Sequence, residues 1–294
     1  MGLSYGCVVP HSPNLVPQVG RERSREAART IEAMAELGII IGEERRAKNC
    51  VVVSPHGPFL PEAFGVWEGK KLSGGMERFQ APDVVVSVDL ADELASAIVD
   101  VSERMEIPVG RLLEEWHLDR GVTVPALYLL KQDEIRVVPV AISMLGWEEH
   151  WLFGTAIAKA AERIPGETVI VASSNFSHRV TPDAPHGYSA AGPTFDTRVR
   201  DAIERGRLRE LLDIPQDLCR EASECGFAPL LVLAGAFDGR SVKGRVLSYE
   251  APFGIGYLVA EVTLDEGEKA PQFAATSAVT AESGVPLEQS RRRL

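Results

Sequence analysis

The chain has 294 residues, is 45% hydrophobic and 25% charged, and carries a net charge of −11. That is the composition of a globular protein large enough to bury a sizeable core. Apart from Arg291-Arg292-Arg293 no basic run offsets the acidic excess, which makes nucleic acid and anionic membranes poor partners. There is no basic leader segment, no apolar stretch long enough to span a bilayer and no CxxC among Cys7, Cys50, Cys219 and Cys225, so the expectation is a cytoplasmic protein with reduced thiols.

In chain order, Ser4–Val9 reads as a strand that closes on the β-branched pair Val8-Val9 and is ended by Pro10, and His11 follows. Helical spacing of Ala27, Ile31, Met34 and Leu37 predicts a helix within Arg21–Lys48, broken near Gly38. Cys50–Ser54 is a second apolar strand, ended by Pro55 and followed by His56. Residues Phe64–Ser73 alternate like a short hairpin, Asp83–Val88 is a strand, and Leu90–Met105 is a helix with acids in its first turn. His117 sits in a turn ending at Gly121, ahead of an apolar run, Val122–Leu130, too short to assign. Ile135–Ile142 and Thr168–Ala172 are buried strands around a helix at Glu148–Arg163. The second of them runs into Ser173-Ser174-Asn175-Phe176-Ser177-His178. The loop Thr181–Tyr188, with His186, is rich in turn formers and reads as a wall of a site or a lid. Helices follow at Thr194–Arg205, Leu208–Leu212 and Cys225–Phe237, then closing strands at Gly244–Ser248 and Gly256–Thr263.

Alternating strands and helices predict one α/β domain over residues 1–264, with a central, mostly parallel or mixed sheet covered by helices on both faces. From residue 265 the hydrophobic pattern stops, and 265–294 reads as a flexible tail.

Chemistry concentrates in the histidines. His11, His56 and His178 each follow a core strand, at the sheet edge where α/β folds bind ligands. Two imidazoles need a third protein ligand, and Glu221-Ala222-Ser223-Glu224-Cys225-Gly226 offers candidates at the start of a buried helix. Two histidines and a carboxylate suit ferrous iron in an oxygenase, or zinc in a hydrolase. His150 reads as a helix-surface residue, and Trp67 and Trp116 as packing.

The motifs Pro10-His11-Ser12-Pro13, Ser54-Pro55-His56-Gly57, His117-Leu118-Asp119-Arg120-Gly121 and Ser174-Asn175-Phe176-Ser177-His178 occur in an order that resembles the catalytic B subunits of class III extradiol ring-cleavage dioxygenases. That superfamily also includes the Memo proteins, and the resemblance spans roughly residues 3–263. It implies Fe(II), with Mn, Zn or Cu as alternatives, held by His11, His56 and a glutamate. It also implies His178 as acid–base catalyst, His117 facing substrate and dioxygen, and ring cleavage of a catechol-like or aminophenol-like aromatic. Glu224 is the preferred third ligand. Cys225 is the alternative, at the position where Memo proteins place a metal-binding cysteine, and would imply a redox, maturation or binding role instead. Asn175 and His186 are assigned to the substrate pocket. The small capping subunit of dimeric relatives has no counterpart here, so a homo-oligomer or a separate lid protein is expected.

Overall fold

Runs such as Val51-Val52-Val53 and Val169-Ile170-Val171 have no polar face, and a strand of that kind is stable only when helices cover both sides of its sheet. A computed structural model, which describes residues 2–58, 60–113, 117–132, 134–265 and 272–273, shows that arrangement in a single α/β domain. Its strands are β1 (Leu3–Val9), β2 (Asn49–Ser54), β3 (Phe64–Trp67), β4 (Lys71–Met76), β5 (Ala81–Asp89), β6 (Val109–Leu112), β7 (Arg136–Ala141), β8 (Thr168–Ser173), β9 (Val242–Glu250) and β10 (Tyr257–Leu264). The helices are α1 (Pro17–Gly20), α2 (Ala28–Ile39), α3 (Asp92–Arg104), α4 (Arg120–Leu129), α5 (Trp147–Ala161), α6 (Ala191–Glu204), α7 (Gln216–Ala222) and α8 (Phe227–Ala236).

Eight strands form one mixed sheet in the order β6-β3-β7-β2-β8-β1-β10-β9, while β4 and β5 pair separately. At its centre β7, β2, β8 and β1 are mutually parallel neighbours. Side chains alternate between two cores: Val51, Val53, Ile170 and Ala172 pack with α3, α5, α6 and α8, and Cys50, Val52, Val169 and Val171 with α2 and α4. Among the described residues no helix is long and apolar enough to cross a membrane.

Several expectations change. The hairpin is β4–β5, not Phe64–Ser73, because β3 joins the main sheet between β6 and β7. The apolar run after Gly121 is helix α4. Gly38 does not break α2; a Cβ there would overlap the Tyr128 carbonyl oxygen, so this glycine lets α2 approach α4. His150 is buried rather than on a helix surface, edge-on to Phe64 at a centroid distance of 4.9 Å. Most of the tail lies outside the described residues; within it, the Phe273 N–H donates to the Asp238 carboxylate at 3.0 Å.

Helices α5 and α8 are in backbone contact. A Cβ on Gly235 would overlap the Trp151 carbonyl oxygen, and one on Gly154 that of Val232. Gly235→Val must push the helices apart, and overpacking of this kind costs about 3 kcal/mol. A clear drop in urea midpoint is expected; a wild-type midpoint would show that the helices do not touch there.

Candidate metal centre

β1 and β2 stop where Pro10 and Pro55 supply no N–H to continue the ladder. Val9 lies opposite Ser173, and Val53 and Val8 both lie opposite Ala172, so the three tips end level and deliver His11, His56 and Ser173–His178 to one edge of the sheet. The His11 N–H donates to Asn175 Oδ1 at 3.0 Å, and its ring Nδ1 pairs with Ser173 Oγ at 3.0 Å. Nε2 is thereby left for the site. The His56 N–H donates to Ser54 Oγ (3.1 Å), whose hydroxyl donates to Asp119 Oδ1 (2.6 Å). The same oxygen accepts the Gly121 N–H at 2.6 Å. Gly121 is required here, since a Cβ would overlap Ser54 Oγ. The two Nε2 atoms come to 2.9 Å of each other, with the rings edge to face.

Glu224 does not join them. Its Oε2 accepts the Gly226 and Phe227 N–H groups at 2.7 and 2.6 Å, satisfying orphan donors at the start of α8. The residue that reaches the imidazoles is its neighbour: Cys225 Sγ lies 3.5 Å from His11 Nε2, 4.0 Å from His56 Nε2 and 3.7 Å from His178 Nε2. Gly226 makes this possible, because a Cβ there would sit 2.6 Å from both Asn175 O and Ser174 Cβ. Ser174 Oγ donates to the Gly226 carbonyl at 2.8 Å and ties α8 to the tip of β8. The ligand atoms of His11, His56 and Cys225 all fall within 4.8 Å of one another. The carboxylate expected as third ligand is thus replaced, in the geometry, by the thiol held as its alternative.

Burial and the Arg120 charge dominate the electrostatics. Burial, His56 and Arg120 hold His11 well below the usual imidazole range. His56 falls to about 4 through burial and Arg120, and His178 to about 4 through burial, His186 and Arg120. All three are neutral at pH 7, the state a metal ligand requires. Burial and the Glu224 charge push the Cys225 thiol up to about 12, and Glu224 itself rises to about 7 through burial. Two neutral imidazoles and one thiol within ligand spacing fit a single transition-metal ion, whose own charge favours the thiolate.

The other expected residues sort by place. His178 stands beside Cys225. His186 is exposed, with Nδ1 2.5 Å from Ser223 Oγ and its ring centroid 5.8 Å from that of His178. His117 is exposed and lines a cavity of about 650 Å³ together with His56, Arg120 and strand residues Gly74 and Gly75 of β4. Asn175 is buried and committed to the His11 backbone, so it positions a ligand loop. Trp67 is buried packing, and Trp116 lies outside the described residues. Sequence reasoning did not single out Asp119, Arg120, Ser54 or Ser173. Asp119 carried a usable signal, an N-cap residue immediately before an apolar run.

Residues 5–260 match the family model described as the catalytic LigB subunit of aromatic ring-opening dioxygenase. Protein CA_C1420 of Clostridium acetobutylicum is 30% identical over 89% of this chain and 58% of its own length, so the chain spans a little over half of that relative. A MEMO1 family protein of Methanosarcina barkeri is 25% identical over 62% of this chain and 63% of its own. The solved structure of uncharacterized protein JW3007 from Escherichia coli K12 shares the fold, with TM-score 0.61 and 19% identity over 88% of this chain and 99% of that one.

Two outcomes follow from these contacts. Asp119→Ala leaves Ser54 and Gly121 without their acceptor and frees the His56 loop, and losing such a support costs about 10–100-fold in metal affinity. Asp119→Asn keeps an acceptor oxygen and retains most of it; chelator competition distinguishes the two. Asp196 accepts the Ser177 N–H at 2.9 Å and the Tyr249 hydroxyl at 2.7 Å, and burial raises its pKa from 3.8 to about 6. A raised acid binds its proton more tightly in the folded state, so its contribution is full below pH 3.8 and lost as pH rises through 6. Stability falls across that window by on the order of 2 kcal/mol, and Asp196→Asn flattens the slope in urea titrations at pH 4 and 6.5.

Proposed function

This chain belongs to the family of the catalytic LigB subunit of aromatic ring-opening dioxygenases, and on that premise we propose that it is a Memo-like, metal-dependent redox protein. In this reading His11, His56 and Cys225 hold one redox-active ion, iron or copper, beside a pocket for a small molecule. The observation that carries it is the position of Cys225 Sγ among the imidazole nitrogens, with Glu224 spent on α8. A thiolate with two imidazoles is a softer donor set than two histidines and a carboxylate, and suits copper, zinc or iron better than a purely oxygen-seeking ion.

When bound, the ion would supply electron transfer and Lewis acidity. The chain's residues do the rest. Ser173 and Asn175 fix His11, and Asp119 fixes His56 through Ser54. His178, neutral near pH 7 and beside the thiol, is the base for a hydroxyl bound at the centre. His117 lines the outer wall.

His178 and the adjoining cavity also favour a second reading, extradiol cleavage of a catechol-like or aminophenol-like aromatic with O2. Anaerobic reconstitution separates the two. One iron or copper per chain is expected in the wild type and in Glu224→Gln, with at least a tenfold loss of affinity in Cys225→Ser and His56→Ala. Metal loss in Glu224→Gln with retention in Cys225→Ser would overturn the ligand set. The yellow ring-opened product from a catechol panel on the Fe(II)-loaded protein would place the second reading first.

A further inference from the structure

Arg120 is the first residue of α4, and its guanidinium reaches the rim of the metal centre. Nη2 donates to His56 Nε2 at 3.0 Å, the nitrogen that also faces His11 and Cys225. Nε is buried without a partner. Among the described residues Arg120 forms no ion pair, although Asp119 and Glu77 line the same cavity. Asp119 Oδ1 is committed to Ser54 and Gly121, and its Oδ2 is itself buried without a partner. The cavity wall adds a second guanidinium, Arg78, and the backbone of Gly74 and Gly75.

An arginine has five N–H donors in a planar fork, and leaving Nε desolvated and unpaired is costly. One lone pair on His56 Nε2 cannot serve both Arg120 and an ion. When a cation takes that nitrogen, Arg120 loses its one acceptor among the described residues and stands, positively charged, next to another positive charge. One thiolate with the Asp119 and Glu77 carboxylates does not balance a divalent ion plus the Arg120 and Arg78 guanidiniums.

We propose that the cavity holds an oxyanion-binding site centred on Arg120, for the carboxylate or phosphate group of a small molecule, and that oxyanion and metal bind cooperatively. The anion draws the guanidinium off His56 Nε2, satisfies its fork in the bidentate geometry such groups prefer, and offsets the charge that the ion brings. By linkage, each ligand then tightens the other by the same factor. The coupling rests on the metal-centre reading above; the anion site does not.

The test uses the full chain, stripped by chelation, with Co(II) affinity measured by its visible absorption under chelator competition. Benzoate and phenyl phosphate are the probes, and benzyl alcohol is the neutral control of like size. In the wild type, whichever of the two anions fits is expected to raise Co(II) affinity about tenfold, and the one that does so identifies the carboxylate or phosphate source. Benzyl alcohol is expected to leave it unchanged. In Arg120→Gln the anion effect is expected to vanish, while affinity without anion is no lower than in the wild type. No enhancement by either anion, or the same enhancement in Arg120→Gln, would overturn the cooperative site, the latter because the anion would then be binding the ion directly. If the wild type takes up no Co(II), the metal-centre reading fails instead. Calorimetric titration of the two anions into metal-free wild type and Arg120→Gln then decides the anion site alone, through binding that is present in the first and lost in the second, or absent in both.

Discussion

The candidate centre exists because β2, β8 and β1 run parallel and end level. Their register is held by backbone ladders and, more firmly, by burial on both faces. A slip of one residue would exchange Val51 and Val53 with Cys50 and Val52 between two cores of different shape. It would also move one histidine about 3.3 Å along the strand relative to the others, more than any ligand set tolerates. The precision of the site is therefore inherited from hydrophobic packing several residues away. Polar ties from His11 to Asn175, from Ser174 to Gly226 and from Ser54 to Asp119 carry that precision across the loops.

Glu224 and Cys225 show how adjacent residues divide two tasks. The first N–H groups of a helix have no partner within it, and a carboxylate on the preceding turn finds them two and three residues away. Glu224 meets that nearby demand. Cys225 points the other way, and Gly226, without a side chain, lets α8 come close enough to β8 for the thiol to reach the imidazoles. A helix-capping requirement thus sets which donor atom the centre receives, and with it the softness of the site. The family's fold is retained, and the groups that could hold a metal ion in it are two histidines and a thiol.

This division also explains what the sequence could and could not reveal. The strand–Pro–His units were readable because uniform β-branched runs and proline act locally. Helix α4 was ambiguous, since Val122–Leu130 is apolar but for Thr123 and Tyr128, contains Pro125, and fits either period. The Phe64–Ser73 alternation misled because pairing is non-local: β3 finds β6 and β7, and the glycine-containing β4 finds β5. Gly38 looked like a breaker because its purpose, contact with Tyr128, lies ninety residues on. The third ligand could not be chosen from composition, because side-chain direction at a helix start depends on which backbone donors stand nearest.

A net charge of −11 is a property of the whole chain, and polyanions meet it at long range. It says little about the candidate metal centre, where neutral imidazoles, one thiol and Arg120 set the local field. Arg120 lowers His11, His56, His178 and Cys225 together, so one guanidinium biases the whole centre toward negative charge. Field lines from it are weakly screened in a desolvated pocket and strongly screened outside it. A long anionic polymer meets the acidic exterior first, whereas a small anion that fits the cavity meets the arginine. In the site proposed for a small oxyanion, size and the Arg120 charge therefore select together.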